Sequence, residues 1–132
     1  MSNEQFLAAF LNSNMPAAGF DHRGHLRAAW LLLQRQPLEA AVTDTCDGIS
    51  RLATRLGVPE KYNRTLSEAV VRLMAHGGGA DTALSWQDFL AANTGLMNDA
   101  RGVLAKHYSD ALLHSPLARE QFIAPDLVPL PT

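Results

Sequence analysis

The sequence predicts an all-α protein, a single-domain bundle of five or six helices with an extended, proline-rich C-terminal tail. Apolar residues recur at spacings of three and four along the chain, and runs that alternate apolar and polar residues are absent. A chain of 132 residues, 47% hydrophobic and 18% charged, can bury one core and has a globular balance. We expect one domain over residues 1–132, with an N-terminal helix and loop in 1–19 and the tail in 123–132.

Charge and composition argue against several classes of function. The net charge is −2 and basic residues do not cluster, so we expect no nucleic-acid partner. No apolar run approaches the length that crosses a membrane, and the N-terminus lacks the pattern of a signal peptide. A single cysteine, Cys46, precludes an internal disulfide and is typical of a reducing, cytoplasmic environment.

Capping residues and prolines set the boundaries of the first predicted helices. Ser2 can cap a short first helix, after which Gly19 adds a bend. Asp21 can cap a second helix, which should stop near Gln36 because Pro37 disfavours helical geometry in the residue before it.

Similar signals divide the rest of the chain. Pro37 can start a third helix, and Gly57 can end it because glycine tolerates the left-handed conformation. Ser85 is a candidate N-cap for a later helix. Prolines prevent the tail from being helical throughout, so we expect it to lie over the bundle with Leu127 and Leu130 packed against it.

Two histidines enter an apolar face at the start of the second helix. His22 and His25 are three residues apart and therefore neighbours on one side of the helix. On a helical wheel both imidazoles lie with apolar residues such as Leu26, whereas Arg23 and Arg27 lie on another sector. Core histidines with paired ring nitrogens are the simpler interpretation. Burying two imidazoles requires hydrogen-bond partners for up to four ring nitrogens, so a ligand site is the alternative interpretation.

Tyr62, Asn63 and Thr65 form a second polar group in an otherwise apolar pattern. If a helix begins at Pro59, Tyr62 and Thr65 point inward from its first turns. If Thr65 is instead the N-cap, its hydroxyl is structural and Tyr62 lies in the preceding loop. We favour the first alternative because proline suits the first position of a helix.

Three segments of the chain carry a family resemblance. They are F-x-H-x-x-H-L-R-x-A-W from Phe20, K-Y-N-x-T-x-S from Lys61, and the run from H-Y-S at His107 to P-D-L-x-P-L-P at Pro125. Together they resemble a group of small bacterial all-helical proteins, over nearly the whole chain past residue 19. The resemblance implies an all-helical fold and no particular activity. The group often has histidine at the place of Asn63, so this chain departs from it there and a three-histidine metal site is not expected.

We interpret these residues as a small-molecule site between the second helix and the Tyr62 helix, without a metal or another cofactor. General acid–base chemistry on a small metabolite is our first hypothesis. His22 or His25 would be the base or acid, and the Tyr62 hydroxyl would orient or polarise the substrate. The residues expected to bind the substrate are Trp30 as an apolar wall, Asn63, Thr65 and His107.

Two other classes of function compete with this hypothesis. A non-catalytic module would bind a ligand or a partner protein, with Trp86 and Phe89 on its surface. Histidines in a solvent-connected cavity would favour a ligand site, and histidines in a closed core would favour the module. A metal-binding protein could use His22 and His25, but a metal needs three or four ligands and the sequence places no others. A homodimer is compatible with each class.

Overall fold

The computed structural model describes residues 2–16 and 20–131, and the regular structure in those ranges is helical. Five of its helices have seven residues or more: α1 (Asn3–Leu11), α2 (His22–Leu33), α3 (Leu38–Arg55), α4 (Arg64–Met74) and α5 (Trp86–Ala92). Four short helices follow: α6 (Thr94–Asn98), α7 (Ala100–Leu104), α8 (Asp110–Leu113) and α9 (Pro116–Glu120). The predicted all-α bundle is confirmed for these residues.

Local capping signals predicted most helix boundaries correctly. The side chains of Ser2, Asp21 and Ser85 each accept a backbone N–H from the first turn of the helix that they precede. Gly57, two residues past α3, has a φ of +77°, the left-handed conformation expected after a helix end. The bend expected at Gly19 lies outside the described residues.

The start of α4 corrects both alternatives proposed for it. Pro59–Lys61 forms only a 3₁₀ turn, and Tyr62 is extended with φ −74° and ψ 136°. Asn63 is the N-cap of α4: its carboxamide oxygen accepts from the Leu66 N–H at 2.9 Å, and its NH₂ donates to the Leu113 carbonyl at 2.8 Å. Neither a helix from Pro59 nor a cap at Thr65 is correct, because Asn63 satisfies a free N–H of the first turn. The same side chain also binds the end of α8.

The core lies between α2, α3 and α4, with α1 packed on α2 and α3 and with α9 packed on α4. Helix α1 approaches α3 at a glycine. A Cβ added at Gly48 would lie 2.3 Å from Cζ of Phe10, so only glycine leaves room for the Phe10 ring. Among the described helices, none is long and apolar enough to cross a membrane.

A buried carboxylate links α4 to α3. Glu68 is 5% exposed, and its Oε1 accepts from Arg64 Nε and Nη2 at 3.1 and 3.0 Å. Its Oε2 accepts from Arg72 Nε at 3.0 Å. The remaining Arg72 nitrogens donate to the exposed carboxylate of Glu39 on α3, at 3.0 and 2.9 Å. Both oxygens of the buried carboxylate therefore accept hydrogen bonds from guanidinium groups, as burial of an ion requires.

Hydrogen bonds fix the tail after α9 to the bundle, and only some of its apolar side chains pack against the core. Thr65, fully buried on α4, donates its hydroxyl to the Gln121 carbonyl at 2.9 Å and accepts the Ile123 N–H at 3.1 Å. Leu130 packs against the core as expected. The expectation that Leu127 packs is wrong: its side chain is 54% exposed, and its backbone N–H donates to the His107 carbonyl at 3.0 Å.

Replacing Glu68 by glutamine should lower the free energy of unfolding by about 1–3 kcal/mol, because the partly buried guanidinium group of Arg64 loses the Glu68 anion and that of Arg72 is left with the exposed Glu39. The matched variant Glu39→Gln removes an exposed partner of the same Arg72 and should cost less than about 1 kcal/mol. Urea unfolding of both variants measures the difference. Equal losses would mean that burial of the Glu68 pairs adds nothing.

Candidate functional site

A groove of about 230 Å³ lies beside α2 and α3, at the entry to α4. Its polar residues are His25, Lys61 and Tyr62. Its apolar walls come from Phe20, Ile49, Leu52, Ala53, Leu56 and Val58. Few convergent polar groups in a mostly apolar concavity are the usual composition of a small-molecule site.

His25 is the half-buried imidazole of this groove. Its ring lies against Phe20, with the ring centroids 4.6 Å apart and the planes tilted by 43°. Burial lowers the pKa of His25 from 6.5 to about 4 because it removes water from the charged form. The neighbouring His22 lowers that pKa further, and Asp21 raises it in part. At neutral pH the ring is therefore uncharged and offers one N–H donor and one acceptor nitrogen.

Tyr62 reaches the same groove from the extended segment before α4. Burial raises its pKa, with a further contribution from the Cys46 thiol beside it, so the phenol stays protonated. Burial also raises the pKa of Cys46 to about 11. Cys46 is thus a buried thiol without thiolate reactivity, as expected for a core residue.

A smaller inner cavity of about 40 Å³ adjoins the groove, since His25 and Ile49 line both. Thr45 on α3 and Ser67 on α4, which both carry a hydroxyl group, are among the residues that line it. Thr45 is 1% exposed, and its hydroxyl oxygen has no hydrogen-bond partner among the described residues. The other residues that line the cavity are His22, Leu26, Ala29, Leu66, Val70 and Val71.

The structure corrects the placement of His22. The prediction that this imidazole faces the core with Leu26 is wrong, because His22 is exposed. It is the first residue of α2, and its Nε2 lies 2.7 Å from the Leu96 carbonyl oxygen at α6. His22 therefore lies at the edge of the inner cavity. Of these two histidines, only His25 lines the groove.

The four residues expected to bind a substrate have other partners. Trp30 packs on Trp86 with ring centroids 5.4 Å apart, and its indole N–H is unpaired among the described residues. Asn63 caps α4, and the Thr65 hydroxyl holds the tail. His107 Nδ1 lies 2.8 Å from the Val128 carbonyl oxygen, also at the tail. The geometry thus brings only His25 and Tyr62, of the seven proposed site residues, to the groove.

The structure also bears on two alternative functions, a metal site at His22 and His25 and a partner-binding surface that includes Phe89. In residues 2–16 and 20–131, no three His, Cys, Asp or Glu side chains converge as ligands of a metal ion would, so His22 and His25 gain no third ligand there. The prediction that Phe89 lies on a partner-binding surface is wrong, because Phe89 is fully buried.

Among the residues of the site that the sequence did not predict are Phe20, Lys61 and Thr45. Phe20 and Lys61 lie next to the His22 and Tyr62 segments in the sequence, but no spacing or motif distinguished either residue as part of a site. Thr45 did carry a signal. It lies three residues after Val42 and four before Ile49, which places a hydroxyl inside the apolar stripe of α3.

Comparisons with models of protein families, with curated proteins and with solved structures found no match. The resemblance to small bacterial helical proteins stays a prediction, and the function must be argued from the geometry of the site.

The neutral state of His25 predicts a dependence of stability on pH. The unfolded chain takes up a proton at this residue near pH 6.5, whereas the folded chain takes it up only near pH 4. The stability of the folded state should therefore be highest above pH 6.5 and fall by up to about 3 kcal/mol as the pH drops to 4.

An NMR titration of the His25 ring protons should give a midpoint near pH 4. Urea unfolding at several pH values should show a weaker dependence on pH in His25→Gln than in the unmodified chain. A ring that titrates near its ordinary value would contradict the neutral state and the decline in stability together.

Proposed function

We propose that the chain binds a small, largely apolar molecule in the groove next to His25. The observation that carries the proposal is the convergence of His25 from α2 and Tyr62 from the segment before α4 on one otherwise apolar groove. Such a groove can bury the body of a ligand while a few hydrogen bonds fix its orientation. We also propose a cytoplasmic location, because the single thiol is free and buried.

The size and shape of the groove support a ring-sized ligand. A dry engineered cavity of about 150 Å³ binds benzene, and this groove of about 230 Å³ is larger but open to solvent on one side. The His25 ring lies against Phe20, which orients its two ring nitrogens before a ligand arrives. Lys61 adds one cation among the lining residues. Every residue needed comes from one copy of the chain, and a homodimer remains compatible with the proposal.

Acid–base chemistry in the same groove is the second candidate. It is favoured by an imidazole that is unprotonated at neutral pH, next to a phenol that stays protonated. The lowered pKa of His25 makes it a weak base, however, and efficient general bases have a pKa near the working pH. We therefore place binding first. Any turnover in the groove should be lost in His25→Gln and should fall as the pH drops through about 4, because the base form is required.

Leu56→Glu tests the groove. Leu56 lines it and is 43% exposed, so a charged side chain there should leave the fold intact and repel an apolar ligand. With indole as the probe, ligand-observed NMR should show saturable binding that Leu56→Glu weakens by at least about fivefold.

The matched control is Leu117→Glu, on a leucine of α9 that is 53% exposed and not among the residues that line the groove. This variant should bind indole as the unmodified chain does. Equal binding by both variants, or no saturable binding by the unmodified chain, would overturn the proposal.

A further inference from the structure

We infer that the inner cavity next to His25 is a subsite for an uncharged polar group, a hydroxyl above all, at the end of the ligand whose body lies in the groove. The inference rests on the proposed function and specifies the class of ligand: a small apolar compound with a terminal alcohol. Three features of the cavity lead to it, namely an unpaired hydroxyl, a lining without a full charge, and a size near that of one functional group.

The unpaired hydroxyl is that of Thr45. The side chain is almost completely buried, its oxygen has no partner among the described residues, and it lines the cavity. A buried hydroxyl without a partner lowers the stability of a fold. Valine would fill nearly the same space without that cost, so packing does not explain a hydroxyl here. A ligand atom that donates a hydrogen bond to this hydroxyl, or accepts one from it, would explain why threonine is present.

The lining of the cavity favours an uncharged guest. Thr45, Ser67 and His25 each offer both a donor and an acceptor, and the lowered pKa of His25 keeps its ring neutral at pH 7. No Asp, Glu, Lys or Arg is among the described residues that line it, and exposed His22 stands at its edge. A carboxylate or an ammonium group would lose its water there without a counter-charge, whereas a hydroxyl brings one donor and an acceptor that match those of the lining side chains.

The size of the cavity selects an end group rather than a ring. One water needs on the order of 10–15 Å³ of such space, so about 40 Å³ admits two or three waters or a hydroxymethyl group. His25 and Ile49 form the wall shared with the groove. A ligand whose body lies in the groove therefore meets the cavity at the imidazole.

The test uses 1-butanol as the probe, with butyrate and butylammonium as charged analogues. In ¹H–¹³C NMR spectra, 1-butanol should shift the methyl signals of Val71 and Ile49 in a saturable manner, and the charged analogues should not shift Val71. Thr45→Val should weaken the binding of 1-butanol about three- to tenfold, since one neutral hydrogen bond is lost. Thr45→Ser keeps the hydroxyl and should stay within about twofold of the unmodified chain.

Thermal unfolding separates this role from a structural one. Without probe, Thr45→Val should unfold at the same temperature or a few degrees higher, because an unpaired hydroxyl has been removed. Thr43→Val, at an exposed threonine of the same helix, is the control and should bind 1-butanol normally. If Thr45→Val fails to fold, Ser67→Ala and Thr45→Ser take its place, with weaker binding expected only for the first.

Each remaining outcome decides between the two proposals. Unchanged binding of 1-butanol in Thr45→Val, or equal shifts of Val71 with butyrate, would overturn the subsite. So would a cavity that holds only ordered water and admits no alcohol. If indole still binds the groove in those cases, the groove proposal stands alone. If indole also fails to bind, both proposals are wrong.

Discussion

Helix α4 is packed on most of its surface, and the polar side chains that it carries must find partners inside the fold. Two of them, Thr65 and Glu68, are almost fully buried. Glu68 is paired with Arg64 and Arg72 on its own helix, and Thr65 is paired with the backbone of the tail. Because an unpaired buried charge or hydroxyl is costly, the Thr65 bonds hold the tail against α4, and Arg72 connects the Glu68 carboxylate to Glu39 on α3.

The same constraint determines the groove. Asn63 caps α4 and also binds the backbone at the end of α8, which fixes where the helix begins. Lys61 and Tyr62 precede that point and are therefore outside the helix. Lys61 ends a 3₁₀ turn, Tyr62 is extended, and both line the groove. On the other side, the first turns of α2 are capped by Asp21, which sets the position of His25. Two helix starts thus define the two halves of the candidate site.

Most features that depend on neighbouring residues, although not the cap at Asn63, were predictable from the sequence, and features that depend on competition between distant partners were not. The caps at Ser2, Asp21 and Ser85 follow from a side chain three residues before a free N–H. The helical wheel predicts His22 on the core side, but the first residue of α2 lies at the edge of the bundle, where it is exposed and its ring reaches the Leu96 carbonyl of α6. The role of Thr65 could not be inferred, since its partners are more than fifty residues away.

The close approach of α1 to α3 places the candidate site under the control of residues that do not line it. Phe10 occupies the space over Gly48, stacks on Phe20 with centroids 5.4 Å apart, and Phe20 in turn touches His25. Three rings in sequence therefore transmit the position of a helix on the outer side of the molecule to the imidazole. A single methyl group at position 48 would displace the Phe10 ring, which is stacked on Phe20. If the groove binds a ligand as proposed, a substitution in α1 could change its affinity or selectivity without any change among the residues that line it.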